Sequence, residues 1–159
     1  MSLEKATFGA GCFWGVEAAF AAIPGVVGTA VGYEGGSLAQ PSYKDVCTDQ
    51  TGHAEVVELE FDPAVVSYAQ ILDAFFALHD PTALNHQGPD WGTQYRSAIF
   101  YHSAEQQVAA EAKISELTEV GKFKPKRIAT KVEPAQTFWR AEEYHQKYLE
   151  KRGQTSCHI

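Results

Sequence analysis

The chain is poor in cysteine, poor in basic residues and free of any long apolar run. Only three cysteines occur in its 159 residues, Cys12, Cys47 and Cys157. An odd number at irregular spacing does not make a secreted disulfide framework. Nor do the cysteines and histidines show the close Cys-x-x-Cys or His-x-x-x-His spacing that builds a zinc module. Thirteen Lys and Arg against twenty Asp and Glu give a formal net charge of −7, which argues against a nucleic-acid surface. The basic cluster Lys122-Phe123-Lys124-Pro125-Lys126-Arg127 follows a helical pattern and reads as a solvated turn. No apolar stretch reaches roughly 18 residues and no signal-peptide pattern is present, so the chain is expected neither to span nor to enter a membrane. A cytoplasmic location is expected, where the cysteines stay thiols and any disulfide among them is transient and catalytic. Repeats and low-complexity linkers are also lacking. What is there, 45% hydrophobic and 21% charged residues, suits one globular domain over residues 1–159, and nothing in it calls for a partner copy, so a monomer is expected.

Against this background Gly11-Cys12-Phe13-Trp14-Gly15 stands out. Lys5-Ala6-Thr7-Phe8 reads as a strand running into Gly9-Ala10-Gly11, while Phe13, Val16, Phe20 and Ile23 recur at helical spacing until Pro24-Gly25. Cys12 therefore falls on the first turn of a helix. The unpaired N–H groups and partial positive charge there favour thiolate over thiol, and the thiolate is the nucleophile. The competing reading is a buried structural cysteine.

Further strands are expected over residues 26–33, 53–61, 97–101 and 127–132, and helices over 68–79, 104–120 and 138–151. Ser103 and Gln106 form a capping pattern, and Gly121 ends that helix. The fold class is α+β: a single domain with a mixed β-sheet and packed helices in a two-layer sandwich, and a long irregular C-terminal segment. Strand order is not readable. Two stretches fit no regular pattern, and function concentrates in such places. One is the loop 80–95 with His86, Asp90, Trp91, Gln94 and Tyr95; the other is the tail 152–159, expected to be mobile, with Cys157.

Several separated motifs, in one order along nearly the whole chain, resemble the A-type peptide methionine sulfoxide reductases. They are Gly11-Cys12-Phe13-Trp14-Gly15, Gly32-Tyr33-Glu34-Gly35-Gly36, Tyr43-Lys44-Asp45-Val46-Cys47, Thr51-Gly52-His53-Ala54-Glu55, His79-Asp80-Pro81 and Gly92-Thr93-Gln94-Tyr95-Arg96-Ser97. Glu34 departs from the small residue usual in its motif, and the tail carries one cysteine where some members use two. The resemblance implies reduction of the S epimer of methionine sulfoxide, free or in proteins. Cys12 matches the nucleophile, Glu55 the acid, Tyr43 and Tyr95 the hydroxyl donors to the sulfoxide oxygen, and Asp90 a further polar residue of the pocket. Phe13 and Trp14 match the aromatic pair around the methyl group. It implies no organic cofactor and no metal, and names thioredoxin as reductant.

The implied chemistry has stated physical needs. Attack on the sulfoxide sulfur requires a proton for its oxygen, and burial of Glu55 beside Val56, Val57 and Phe13 would raise its pKa so that it carries one. Attack leaves a sulfenic acid on Cys12, which a second thiol condenses with. Cys157 is the candidate. Cys47 is the runner-up and reads as a buried structural cysteine. Each residue has a plainer reading too: Phe13 as core, Tyr43 and Tyr95 as tyrosines bonded to backbone, Glu55 as an exposed strand residue. A cysteine hydrolase or acyl transferase built on Cys12 and a histidine is the alternative class. His53 reads as a structural residue near Glu55, and His79 as a helix-end cation suited to the dipole.

Overall fold

The computed structural model describes residues 2–151, so the tail 152–159 and Cys157 lie outside the described residues. The chain runs β1 (Glu4–Ala10), α1 (Phe13–Ala21), β2 (Val26–Glu34), α2 (Tyr43–Val46), β3 (Ala54–Phe61), α3 (Tyr68–Leu78), β4 (His86–Gln87) and β5 (Asp90–Trp91). A 3-10 turn at Thr93–Tyr95 leads to β6 (Ser97–Tyr101), α4 (Ala104–Glu119), β7 (Lys131–Pro134) and β8 (Trp139–Arg140). A second 3-10 turn, Glu143–His145, precedes α5 (Tyr148–Lys151).

Six strands form one sheet in the order β7-β6-β1-β3-β2-β8. It is mixed, with β6 and β7 parallel and the other pairs antiparallel. Strand alternation sorts its two faces. Phe8 of β1, Val57, Leu59 and Phe61 of β3 and Ile99 of β6 join Phe13, Val16 and Phe20 of α1 and Ile71, Leu72 and Phe75 of α3 in the main core. Ala54, Val56, Ala98 and Phe100 form a smaller cluster against Ala135 and Phe138. The odd-numbered positions of β3 thus line the main core, and Glu55 belongs to that series, paired with Tyr33 across the β2–β3 ladder.

Helix starts follow sequence chemistry. Ser67 and Gln70 make a reciprocal capping box on α3, and the Ser103 side chain accepts from the Gln106 amide on α4. Gly121, with φ 69°, follows the last turn of α4. The basic cluster after it lies in turns rather than in a helix or strand.

The expected helix over 138–151 is corrected: that stretch is the edge strand β8, a 3-10 turn and the single turn α5. Its side chains satisfy other elements instead of presenting an apolar stripe. Gln146 accepts from Val31 N–H at 2.9 Å and donates to the carbonyls of Val31 and Ala141 at 2.9 Å each. Its amide thereby continues the edge of β2 where β8 stops. Glu17 of α1 accepts from the Lys147 amide at 2.6 Å and from the Thr29 hydroxyl at 2.8 Å. Only glycine admits β8 at Gly32, since a Cβ there would lie 2.4 Å from the Trp139 carbonyl oxygen. Gln146→Ala is expected to destabilise the chain by about 3 kcal/mol, because buried backbone groups lose their partners. Urea or thermal unfolding would measure this, and a change below about 1 kcal/mol would show that water replaces the amide.

Candidate active site

Cys12 is placed by the turn from β1 into α1. Gly11 adopts φ 100°, a conformation that L side chains rarely take. A Cβ there would also meet the Gln87 side chain at 2.9 Å. Cys12 itself is the N-cap residue of α1, half-buried, with its carbonyl accepting from Val16 N–H at 3.4 Å. No acidic residue occupies the first turn of α1. Gln87 is buried and bridges the loop onto this turn, accepting from Asp80 N–H at 3.0 Å and donating to the Asp80 carbonyl at 2.6 Å.

Glu55 lies one strand away and is 1% exposed. Its Oε1 accepts the Phe13 backbone N–H at 3.2 Å, while Oε2 is buried with no hydrogen-bond partner. Burial pushes this carboxyl up to about 8; the bond from Phe13 opposes the shift and the charge of Asp90 adds to it. At neutral pH Glu55 is therefore protonated, and Oε2 is the oxygen without a donor to accept from.

The two tyrosines face the same carboxyl. Tyr43 begins α2, whose capping box is Ser42 and Asp45. Its phenol is held well above its ordinary value by burial and then by Glu55. Tyr95 ends the first 3-10 turn and is pushed up to about 12 by burial, with Glu55, Cys47, Asp90 and Cys12 adding to the shift. Both hydroxyls keep their protons at any physiological pH. The structure thus brings Cys12, Phe13, Tyr43, Glu55, Asp90 and Tyr95 into one neighbourhood. Asp90 sits on the β4–β5 hairpin, opposite Gln87. The sequence pattern showed no regular structure there, because two-residue strands carry no periodicity.

Phe13 is 1% exposed, with ring centroids 5.8 Å from Tyr33 and 6.3 Å from Tyr43. The Trp14 indole stacks on Tyr148 at 3.9 Å. Its N–H donates to His145 Nδ1 at 2.9 Å. The 140s segment supplies a second fastening: Glu142 accepts from the Tyr33 hydroxyl and from the Tyr43 amide, each at 3.0 Å. The sequence assigned Tyr33, Glu142, His145 and Tyr148 no role in the sulfoxide site, although Tyr33 lies in one of the family motifs and His145 is among the histidines open to the hydrolase alternative. The signal available was the density of Trp139, Tyr144, His145 and Tyr148 in ten residues lacking a helical apolar stripe.

Three single-residue readings are settled by their surroundings. His53 is buried and structural as expected, with Nδ1 accepting from Gly36 N–H at 3.0 Å and Nε2 2.7 Å from the Leu38 carbonyl. The expectation for His79 is corrected. It does follow α3, but burial pushes its pKa down to about 4, so it is neutral there. Its ring bridges the Phe75 carbonyl and the Ser97 hydroxyl at 2.7 Å each. Cys47 is corrected as well: it is exposed, not buried. It is the C-cap residue of α2, and the Tyr43 hydroxyl donates a hydrogen bond to its sulfur. Its thiol is raised above the ordinary value, chiefly because the groups packed around the sulfur partly desolvate it. Among the described residues no group of three or more His, Cys, Asp and Glu could hold a metal ion.

A family model described as peptide methionine sulfoxide reductase matches residues 4–159. The chain belongs to this family. The peptide methionine sulfoxide reductase MsrA of Acidobacterium capsulatum is 66% identical over 157 residues, covering 99% of this chain and 100% of the relative. Among solved structures, reduced Mxr1 from Saccharomyces cerevisiae superposes with a TM-score of 0.87 at 38% identity, over 98% of this chain and 88% of Mxr1. Mxr1 in complex with Trx2 superposes with a TM-score of 0.62 at 26% identity, over 92% of this chain and 84% of that one. The chain is accordingly a methionine sulfoxide reductase, with the α+β fold of its solved relatives. Among the described residues no helix is long and apolar enough to cross a membrane.

Proposed function

We propose that the chain reduces the S epimer of methionine sulfoxide, free or in proteins, with Cys12 as nucleophile and Glu55 as proton donor. The observation that carries this reading is Glu55 Oε2, buried and unpartnered on a carboxyl that holds its proton at neutral pH. A sulfoxide oxygen is the acceptor such a donor needs. Cys12, at the start of α1, attacks the sulfoxide sulfur as thiolate. The oxygen accepts the Glu55 proton with hydroxyl bonds from Tyr43 and Tyr95, and Asp90 orients the polar wall. Phe13 and Trp14 receive the methyl group, through burial and sulfur–ring contacts of about 0.3–1.5 kcal/mol. With methyl against the rings and oxygen against the phenols, one epimer fits.

Collapse of the adduct transfers the oxygen to sulfur: methionine leaves reduced and Cys12 becomes a sulfenic acid. The Cys157 thiol then displaces water to form a Cys12–Cys157 disulfide. A thioredoxin dithiol reduces that bond by exchange and is itself oxidised. The Mxr1 complex with Trx2 supports a thioredoxin as partner here. We place the whole chain in one domain, acting as a monomer in the cytoplasm, where thiols are kept reduced. The decisive experiment treats reduced enzyme with one equivalent of a methionine S-sulfoxide peptide and measures intact mass and disulfide connectivity. Loss of two hydrogens with a Cys12–Cys157 link is expected, and a covalent acyl adduct would support a hydrolase instead.

Cys157→Ser is expected to release one methionine per enzyme in a burst and to lose thioredoxin-driven turnover by roughly 100-fold or more, for want of the resolving thiol. Its mass after the burst should be heavier by one oxygen. Full steady-state turnover would move the resolving role to the exposed thiol of Cys47.

A further inference from the structure

The two phenols of the site stand on short elements, and one carboxylate ties those elements together. Tyr43 opens the four-residue helix α2, and Tyr95 ends the three-residue turn Thr93–Tyr95. A single turn is too short to hold itself in water, so each depends on anchors from outside. The residue before the second turn is Gly92, which has no side chain to cap it. The Thr93 amide, which the turn itself leaves without an acceptor, donates instead to Asp49 Oδ1 at 2.8 Å, 44 residues earlier in the chain. The Thr93 hydroxyl donates to the same oxygen. The Arg96 guanidinium donates to the Thr93 carbonyl at 3.0 Å, and the Asp49 charge acts on that cation. On the other side, Cys47 N–H donates to the Tyr43 carbonyl and Asp49 N–H to the Val46 carbonyl, each at 3.0 Å. Asp49 is thereby fixed to the helix that begins with Tyr43. Its φ of 63° is left-handed, a conformation that aspartate tolerates better than most residues and glycine takes freely.

We propose that Asp49 is a positioning residue for the reduction: by capping the Thr93–Tyr95 turn from the end of α2, its carboxylate sets the Tyr95 hydroxyl in register with that of Tyr43. The inference rests on the reading of Tyr43 and Tyr95 as the two donors to the sulfoxide oxygen. Donors stabilise developing charge only where they are already aimed at it, so what Asp49 supplies is preorganisation of the turn. Asp49 is exposed and acts through Thr93 rather than on the substrate. Its benefit falls on the transition state, in which the oxygen gains negative charge, so the maximal rate is affected more than peptide binding. Its loss cannot cost more than loss of the hydroxyl it aims.

The test measures single-turnover reduction of a methionine S-sulfoxide peptide by the reduced full chain, for the parent, Asp49→Gly, Asp49→Asn, Tyr95→Phe and the double variant Asp49→Gly/Tyr95→Phe. Hydrogen exchange at the Thr93 amide is followed alongside. Asp49→Gly removes the carboxylate and keeps the left-handed backbone. It should lower the maximal rate about fivefold, leave the half-saturating peptide concentration within about twofold, and speed exchange at Thr93 about tenfold. Asp49→Asn still offers an oxygen to both Thr93 donors and should stay within about twofold of the parent in rate and exchange. Tyr95→Phe should lose roughly tenfold in rate. The double variant should fall no more than about twofold below Tyr95→Phe, because the clamp then has no hydroxyl to aim. A parent-like rate in Asp49→Gly beside a slow Tyr95→Phe overturns the positioning role alone. Unchanged exchange at Thr93 in Asp49→Gly overturns it without reference to activity. Losses that multiply in the double variant overturn it as well, since Asp49 would then act on the fold and not through Tyr95. A parent-like rate in Tyr95→Phe overturns the reading of Tyr95 as a donor, and this inference with it.

Discussion

Cys12→Ser is expected to reduce methionine S-sulfoxide at no measurable rate above background, a loss on the order of 10⁴-fold or greater, as when other enzymes lose their nucleophile. A serine at the N-cap suits the helix well, so the fold should survive and circular dichroism and unfolding temperature should match the parent within about 2 °C. The hydroxyl of serine is too weakly acidic to supply an anion at neutral pH, and no base of the site stands ready to take its proton. Glu55 holds its own proton instead. Multiple turnover by this variant would remove Cys12 from the mechanism and with it the assignment of every residue around it.

Glu55→Gln should slow the single-turnover reduction by about 10²–10⁴-fold, the usual contribution of a general acid. The amide keeps the side chain's size and can still accept from Phe13 N–H through its oxygen, so loss of binding is not the expected cause. In the parent the single-turnover rate should fall as pH rises through about 8, where Glu55 gives up its proton. The variant should lack that descending limb. A rate unchanged from the parent would mean that the proton comes from Tyr43, Tyr95 or solvent. Stability carries an independent sign. The folded-state pKa of Glu55 is raised, so folding is favoured most while the unfolded carboxyl is also protonated. That advantage is lost progressively as pH rises toward about 8. Glutamine does not titrate, so the variant's unfolding temperature should exceed the parent's near pH 8 by more than it does near pH 4.

Much of this was legible in the chain because the signals are local. β3 alternates from Val57 to Phe61, and α3 shows its stripe through Ile71, Leu72, Phe75 and Phe76. The capping residues Ser67 and Ser103 mark the helix starts they serve. The 140s segment misled for a physical reason. Gln146, Glu142 and His145 are polar in sequence, yet each is spent on a partner more than 90 residues away: Val31, Tyr33 and Trp14. A pattern that weighs neighbours along the chain cannot detect a side chain whose partner is on another element. Cys47 shows the opposite error, since burial frequency by residue type favoured the interior and the short helix α2 ends at the surface.

The sequence by itself determined the α+β class, the strand-to-helix turn that presents Cys12, and, through its separated motifs, the family. Those features depend on backbone periodicity and residue identity, which act within a few positions. Tertiary structure alone decided that Glu55 is sealed in the core with one oxygen unpartnered, that Cys47 faces outward, and that His145 stands behind Trp14. Each of these depends on which groups share a low-dielectric space. Only the closing of β1, β2 and β3 against α1 and the 140s segment creates that space.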